Sequence, residues 1–338
     1  MTQTAQALVA EGKGILAADE STPTMEKRLR GIGLESTEQR RREYREILFT
    51  TEGIGEFVSG VILFDETIRE RAADGTTFPE VLRDQGLIAG IKVDKGTTPL
   101  AGFPDELVTD GLDGLRSRLE EYRTVGARFA KWRAVISIGD GRPTTTCVEA
   151  NAHALARYAA LSQEAGLVPI VEPEVLMDGA HSLERCAEVT AATLRAVYEH
   201  LGRHRVILEA SLLKPNMVLS GKDCPVQAGL DEVADATIAV LRETVPAAAP
   251  GIVFLSGGQS EEDATVRLDA MNRRDPQPWE LSFSFGRALQ APVLRAWAGN
   301  EANHDVAQAA FLHRAAMNGA ARNGSYRPDM EQLPASRT

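Results

Sequence analysis

The chain has 338 residues, of which 43% are hydrophobic and 25% charged, and its formal net charge is −11 at pH 7. This composition is that of a globular protein with a full core, and the acidic balance disfavours nucleic-acid and anionic-membrane partners, which need clustered positive charge. Three scattered cysteines (Cys147, Cys186 and Cys224) predict neither disulfides nor a metal-binding motif, and with no signal peptide or apolar membrane span we expect a cytoplasmic protein.

Short apolar runs alternate with amphipathic segments along the chain. The eight runs predicted to be strands are Gly14–Asp19, Val58–Phe64, Leu87–Val93, Ala127–Ile136, Leu167–Glu174, Val206–Lys214, Gly251–Gly257 and Leu281–Gly286. Most of them are continuously apolar, which is typical of parallel strands that are buried on both faces.

Helical spacing of apolar residues fills the intervals between these strands. Six predicted helices are the clearest. One begins at a Ser36–Gln39 capping box, one carries Leu112 to Tyr122, and one carries Leu183 to Val197 and stops near Gly202. The others begin at Ser260 and cover Arg287–Ala298 and Asp305–Ala321. Eight strands with intervening helices predict a single (β/α)8 TIM barrel over residues 1–325, followed by a flexible tail over 326–338. An open doubly wound sheet is the alternative, although no G-x-G-x-x-G motif follows the first strand.

Charged and small polar residues gather at the carboxyl ends of these strands, where barrel enzymes hold their catalytic groups. They are Asp19, Lys92, Asp94, Lys131, Arg133, Glu172, Glu174, Lys214, Ser256, Gly257, Gly258, Ser284, Gly286 and Arg287. Because residues i and i+2 of a strand share a face, Lys131 and Arg133 point the same way, as do Glu172 and Glu174. Burial of unpaired charges is unfavourable, so we expect these groups to converge in one functional mouth.

Lysine usage adds an independent indication. The chain has 30 arginines and seven lysines, yet Lys92, Lys131 and Lys214 all lie in predicted strands. Lysine, unlike arginine, can lose its proton when it is desolvated or placed beside another cation, and a neutral amine is the nucleophile that a Schiff base requires. The competing interpretations are surface lysines at strand ends and a structural ion-pair network.

The loops after the last two strands predict a phosphate site. Gly257 and Gly258 let backbone N–H groups approach an anion, and Arg287 begins a helix beside them. Metal chemistry is not expected, because no histidine lies in a predicted strand and no H-E-x-x-H motif occurs. His200 and His204 flank Gly202 and are interpreted as a solvated helix terminus.

Several ungapped motifs resemble class I fructose-bisphosphate aldolases, from about Gly12 to Tyr326. They are GKGILAADEST (12–22), GVILF (60–64), GIKVDKG (90–96), FAKWR (129–133), VPIVEPE (168–174), LLKPNMV (212–218), FLSGGQS (254–260) and GRALQ (286–290). The resemblance implies a (β/α)8 barrel, usually a homotetramer. It also implies reversible cleavage of fructose 1,6-bisphosphate to dihydroxyacetone phosphate and glyceraldehyde 3-phosphate, in glycolysis and gluconeogenesis, with no metal or other cofactor.

The resemblance also implies roles for individual residues. Lys214 matches the Schiff-base lysine, and Glu172 matches the general acid and base of carbinolamine dehydration. Glu174 matches a neighbour that supports Lys131 and the nucleophile. Lys131 matches a cation that orients the acids and bases. Asp19 matches the carboxylate that handles the proton of the C4 hydroxyl.

The substrate-binding residues follow from the same motifs. Those implied for the phosphate on the ketone half are Ser256, Gly257, Ser284, Gly286 and Arg287; those implied near the other phosphate are Ser21, Thr24 and Lys92; Arg28 and Arg133 match further substrate-contacting cations. Pro23-Thr24 replaces a Gly-Ser pair that is common in the family, so the second phosphate site is expected to differ in detail. Many relatives also end in a tyrosine that assists proton exchange, whereas Tyr326 is the last tyrosine here.

Two alternatives stay open on the sequence. The same chemistry can serve fructose 1-phosphate or sedoheptulose bisphosphate, and turnover of mono- and bisphosphates would separate these substrates. A binding role as a scaffold for other proteins is the second alternative, and the presence of Lys214 and Asp19 argues against it as the sole function.

Overall fold

The continuously apolar segments form the strands of a closed parallel barrel in the computed structural model, which describes residues 1–332. The strands are β1 Gly14–Ala18, β2 Val58–Leu63, β3 Ile88–Lys92, β4 Thr97–Pro99, β5 Leu107–Thr109, β6 Phe129–Ile136, β7 Val168–Val175, β8 Leu212–Leu213, β9 Gly251–Phe254 and β10 Glu280–Phe285. The barrel order is β1-β10-β9-β8-β7-β6-β3-β2, with every neighbouring pair parallel. The predicted (β/α)8 barrel is confirmed, and the open-sheet alternative is wrong.

Helices surround this barrel. They are α1 Thr2–Leu8, α2 Thr22–Arg30, α3 Glu38–Phe49, α4 Asp65–Arg69, α5 Phe78–Asp84, α6 Leu115–Thr124, α7 Thr145–Glu164, α8 Leu183–Arg203, α9 Leu230–Thr244, α10 Glu261–Asn272, α11 Arg287–Trp297 and α12 His304–Arg322. The predicted cap of α3 is displaced by one residue, because the hydroxyl of Thr37, rather than Ser36, accepts from the Arg40 N–H at 3.2 Å. Within residues 1–332, no helix has the length and apolar character that crossing a membrane requires.

A small apolar cluster fills the amino-terminal half of the barrel interior. It joins the first residues of several strands, such as Phe129 and Val168, to Leu8 and Val9 at the end of α1. The close packing explains a glycine in β3, because a Cβ on Gly90 would lie 2.3 Å from the Phe129 ring. Helix α1 therefore covers the apolar interior at this end of the barrel.

Two local elements differ from the sequence prediction. Within the predicted strand Val206–Lys214, residues Leu208–Ala210 form a 3-10 turn and only Leu212–Leu213 pair with neighbouring strands. The turn is favoured because the side chain of Gln163 accepts from the Ile207 N–H and donates to the Ile207 carbonyl, at 2.9 and 2.8 Å. The second difference is the antiparallel β4–β5 hairpin, which is short and mostly solvated and so leaves no apolar signal.

The end of the described chain packs on the barrel. Tyr326 is buried, its hydroxyl donates to Glu331 at 2.9 Å, and its carbonyl accepts from Arg273 at 2.6 Å. Arg314 of α12 pairs with the same Glu331 at 2.8 Å. The predicted flexible tail thus begins with residues that make specific contacts, while its remainder, 333–338, lies outside the described residues.

Candidate active site

A polar cavity of about 760 Å³ opens at the carboxyl ends of the barrel strands. All the residues singled out from the sequence line it: Asp19, Ser21, Thr24, Arg28, Lys92, Lys131, Arg133, Glu172, Glu174, Lys214, Ser256, Gly257, Ser284, Gly286 and Arg287. The structure thus brings together groups that are up to 268 positions apart in the printed sequence (Asp19 to Arg287). Charged lining residues with no role predicted from the sequence include Glu20, Lys27, Asp94 and Lys222.

Strand register places the central charges side by side. Arg133 of β6 is opposite Glu172 of β7, and Lys131 lies two residues earlier on the same face. Lys214 follows the two-residue strand β8, and its backbone N–H donates to the Val171 carbonyl at 2.8 Å. This bond extends the hydrogen-bonded ladder between β7 and β8 to Lys214 and so holds the backbone at the base of its side chain.

Lys214, Glu172, Lys131 and Asp19 form one buried chain of contacts. The Lys214 Nζ lies 3.3 Å from Glu172 Oε1, and the Lys131 Nζ lies 3.1 Å from Glu172 Oε2 and 2.7 Å from Asp19 Oδ2. Lys131 and Lys214 are each only 3% exposed. The interpretation of these lysines as surface residues is therefore wrong. One carboxylate stands between two amines, an arrangement in which a proton can pass to or from either of them.

Electrostatic interactions keep two of these four side chains, Asp19 and Lys131, ionised. Burial alone raises the pKa of Asp19, but the positive charges of Lys131 and Lys214 outweigh it and hold that pKa well below its usual range. Burial lowers the pKa of Lys131, and the negative charges of Asp19 and Glu172 outweigh it, so that this pKa lies above its usual range. At neutral pH, Asp19 is a carboxylate and Lys131 an ammonium.

Glu174 has a different partner from the one that the resemblance implies. Its carboxylate forms an ion pair with the Nε of Arg133, not with Lys131. A Cβ on Gly257 would lie 3.1 Å from Glu174 Oε1, so the glycine lets the loop after β9 pass close to this carboxylate. Glu174 therefore links β7 to Arg133 and to the predicted phosphate loop.

Asp94 organises the neighbouring side of the mouth. It is buried, its Oδ1 lies 2.9 Å from the Lys92 Nζ, and its Oδ2 accepts from the Arg133 N–H at 3.2 Å. The sequence offered a signal for it, because Asp94 lies two residues after Lys92 at the end of the same apolar run. It positions two of the predicted substrate-binding cations.

Glu20 anchors the loop that carries Asp19. Its carboxylate contacts Arg28 at 2.5 Å, Arg45 at 2.7 Å and the Gln290 amide at 2.7 Å. Although burial raises the pKa of Glu20, Arg28 and Arg45 bring it below its usual value. The loop after β1 is thereby tied to α2, α3 and α11, and Arg28 is held by an internal partner.

The predicted phosphate groups lie on two sides of the mouth. Ser256 and Gly257 follow β9, while Lys92 ends β3, and β9 and β3 are opposite each other in the eight-strand order. On the β9–β10 side, the Ser284 hydroxyl is buried and has no hydrogen-bond partner among residues 1–332. Arg287 is exposed there as the first residue of α11. An unpartnered hydroxyl and a helix amino terminus beside an open cavity suit an anionic ligand.

The loop after β1, the strand next to β10 in the barrel, contributes a pair of hydroxyl groups to the cavity. Ser21 is the N-cap residue of α2, and its Oγ lies 3.1 Å from the Thr24 Oγ1. Pro23 occupies the first turn, where its missing N–H leaves no unmet donor. Both hydroxyls face the cavity at the start of a helix.

The histidines do not line this cavity, but one sequence interpretation of them is wrong. His200 is buried rather than solvated, and it meets His204 and His153 on the outer helical layer. The sequence could not reveal this group, because His153 belongs to a different helix.

Comparisons with known proteins agree with the fold and the motifs. A family model described as "Glycolytic: Fructose-bisphosphate aldolase class-I" matches residues 1–338. A probable fructose-bisphosphate aldolase class 1 of Xanthomonas campestris pv. campestris is 57% identical over 97% of this chain and 98% of its own. The fructose-bisphosphate aldolase of Dictyostelium discoideum is 52% identical over 96% of this chain and 91% of its own.

A solved structure shares the whole architecture. The fructose-bisphosphate aldolase of Plasmodium falciparum, in a ternary co-crystal with TRAP and a small-molecule inhibitor, superposes with a TM-score of 0.96. It is 49% identical in sequence, and the match covers 96% of this chain and 94% of that one. The chain described here belongs to the class I fructose-bisphosphate aldolase family.

Proposed function

We propose that this protein cleaves fructose 1,6-bisphosphate reversibly into dihydroxyacetone phosphate and glyceraldehyde 3-phosphate, through an imine formed on Lys214. The observation that carries the proposal is the buried Lys214 amine, 3.3 Å from the Glu172 carboxylate at the floor of a polar cavity. The names of the relatives support the substrate, and the glycolytic family description supports a place in glycolysis and gluconeogenesis.

Imine formation needs a nucleophile and a proton donor. The neutral amine of Lys214 adds to the C2 carbonyl of the open-chain sugar, and the resulting carbinolamine loses its hydroxyl as water. Glu172 is within reach of the Lys214 nitrogen, so it can take a proton from the attacking amine and return one to the departing hydroxyl. The product is a protonated imine, which withdraws electrons from C3 more strongly than the ketone does.

Carbon–carbon cleavage needs a base at C4. Asp19 removes the proton of the C4 hydroxyl, the C3–C4 bond breaks, and its electron pair moves into the imine to give an enamine. Glyceraldehyde 3-phosphate leaves as the aldehyde. The depressed pKa of Asp19 keeps this carboxylate ready to accept a proton at neutral pH, and the 2.7 Å contact with Lys131 holds it in place. Because the imine is the electron sink, the step requires no metal ion.

Binding of both phosphates fixes the reacting bonds against these groups. We propose that one phosphate binds the Ser256–Gly257 loop with Ser284, Gly286 and Arg287, and that the other binds Lys92 with Ser21 and Thr24. Arg28 and Arg133 supply further positive charge between them. The opposed positions of β9 and β3 support a ligand with an anionic group at each end.

The assembly and location are also proposals. We propose a homotetramer, as the family resemblance implies, and a cytoplasmic location. The location is supported by a 53% identical relative from Arabidopsis thaliana that is named cytosolic. Light scattering coupled to size exclusion tests the assembly, and a monomer at micromolar concentration would contradict it.

Reductive trapping tests the nucleophile directly. Borohydride added with dihydroxyacetone phosphate should attach the reduced ketose unit to Lys214 and abolish activity, and peptide mass spectrometry should locate the adduct. The variant Lys214→Met should neither be labelled nor cleave the substrate. Lys222→Met is the matched control, because this lysine also lines the cavity but pairs with Asp178 at 2.8 Å near the surface. Adduct on another lysine, or wild-type turnover by Lys214→Met, would contradict the proposal.

A further inference from the structure

Three histidines meet on the outside of the barrel, between α7 and α8. His153 lies in the middle of α7, His200 lies in the last turn of α8, and His204 is the residue that ends α8. One ring nitrogen from each lies within 4.8 Å of those of the other two. None of the three lines the catalytic cavity, and the chemistry proposed above uses none of them.

Hydrogen bonds fix which nitrogen of His200 is free. Its Nε2 lies 2.7 Å from Glu149 Oε2, and since a carboxylate accepts, this nitrogen carries the proton. The other nitrogen, Nδ1, is then a lone-pair acceptor. It is buried and has no hydrogen-bond partner among residues 1–332. A histidine that donates to a carboxylate through one nitrogen and offers the other is the usual arrangement around a bound metal ion.

A hydrogen bond also determines which ring nitrogen of His204 is unprotonated. Its Nδ1 lies 2.9 Å from the backbone carbonyl of His200, so Nδ1–H donates and Nε2 remains unprotonated. The third member, His153, is exposed, which leaves a path from solvent to the group. Two charged side chains of opposite sign flank the group: Glu149 accepts from His200, and Arg157 lies one helical turn beyond His153.

We propose that His153, His200 and His204 bind one divalent transition-metal ion, with Zn²⁺ as the best-suited ion. Imidazole nitrogens suit zinc, and three protein ligands leave a fourth position for water. Zinc–nitrogen bonds of about 2.1 Å in a tetrahedron place the nitrogens about 3.4 Å apart. One ring nitrogen of each histidine already lies within 4.8 Å of those of the other two, so binding requires side-chain rotations that bring His200 Nδ1 and a nitrogen of each other ring to this separation. Rotation of exposed His153, with adjustment of the His204 ring about its bond to the His200 carbonyl, can supply this movement.

The bound ion would join two neighbouring helices of the barrel wall. Ligands from α7 and from the end of α8 would be held by one centre, with Glu149 orienting His200 from behind. The ion therefore acts on stability rather than on the cleavage reaction, since it stabilises the folded chain by mass action.

Zinc binding is measured on the full chain without a histidine tag, after removal of metal with a chelator. Equilibrium dialysis against Zn²⁺ near neutral pH should give one ion per chain. Because His153 is exposed, His153→Gln keeps the fold intact and should weaken binding at least about tenfold, and His204→Gln should do the same. His304→Gln, at the start of α12 and outside the group, is the control and should bind as the wild type does.

Thermal unfolding gives a second readout. At a free Zn²⁺ concentration about a hundred times Kd, Tm should rise by about 4 °C in the wild type and in His304→Gln, and not in the other two variants. Less than half an ion per chain at about 100 µM free Zn²⁺ would overturn the proposal. So would unchanged stoichiometry and affinity in His153→Gln and His204→Gln. Because the catalytic cavity is elsewhere, the metal-free variants should cleave substrate at the wild-type rate in either case.

Discussion

Replacement of Lys131 by methionine should destabilise the protein strongly and reduce the part of its stability that is lost in acid. The Lys131 ammonium lies 2.7 Å from Asp19 and 3.1 Å from Glu172. At an effective dielectric constant of about 20, these contacts amount to about 6 and about 5 kcal/mol, which desolvation of the three ions largely offsets. Removal of one member of a buried ion pair, which leaves uncompensated charge, typically costs about 3 to 5 kcal/mol.

The size of this effect can be compared within the same cavity. For a chain of this length, about 3 to 5 kcal/mol corresponds to a fall in Tm of about 4 to 7 °C. The matched variant Lys222→Met breaks an ion pair with Asp178 in which the side chains are 45% and 65% exposed, so its Tm should change by less than about 1 °C. Both are read by calorimetry at a fixed scan rate.

The sign of the pH dependence follows from Asp19. In the wild type its depressed pKa contributes stability that is fully present above the ordinary value of about 3.9 and is lost as pH falls through the folded-state pKa. In Lys131→Met the largest of the charges that lower this pKa is gone, while burial still raises the pKa and Lys214 and Lys92 still lower it. The pKa of Asp19 therefore rises, and the part of the stability that is lost in acid below about pH 4 should be smaller than in the wild type. A variant with wild-type Tm at neutral pH, or one that loses as much Tm as the wild type between about pH 5 and about pH 3, would refute the reasoning.

The other predictions concern chemistry, binding and packing. Asp19→Asn should lower kcat for cleavage by about a thousandfold while leaving borohydride labelling of the lysine possible, and equal loss of both would contradict its role as the C4 base. Ser284→Ala should raise KM for the bisphosphate several-fold without lowering Tm, because its hydroxyl has no partner among residues 1–332; an unchanged KM would contradict a phosphate contact. Gly90→Ala should cost about 1 to 3 kcal/mol in urea unfolding, since a Cβ there meets a phenyl ring at 2.3 Å, whereas Gly202→Ala in open space on α8 should stabilise slightly.

Local patterns were sufficient for the barrel and for the catalytic strands. Continuous apolar runs indicated parallel strands, and alternation along β6 and β7 placed Lys131 beside Arg133 and Glu172 beside Glu174 before any coordinates were known. These features depend on residues that are close in sequence, where the period of a strand decides which face a side chain occupies.

Contacts between residues that are far apart in the sequence cannot be predicted from such local patterns. Partner choice for Glu174 depends on how far Arg133 extends from the neighbouring strand, and the pattern along β7 alone contains no such information. The group formed by His153 and His200 depends on which faces of α7 and α8 meet. Val206–Lys214 resembles a strand because it is apolar, but side-chain hydrogen bonds from Gln163 favour a turn over Leu208–Ala210, about a third of it.

Closure of the barrel by α1 determines the path by which sugar and water reach and leave the cavity. Since Leu8 and Val9 seal the far end with buried side chains, the water expelled when the imine forms has to depart by the same opening that admitted the sugar. A helix far from the chemistry thus determines, among the residues that the structure describes, the side from which the sugar approaches Lys214.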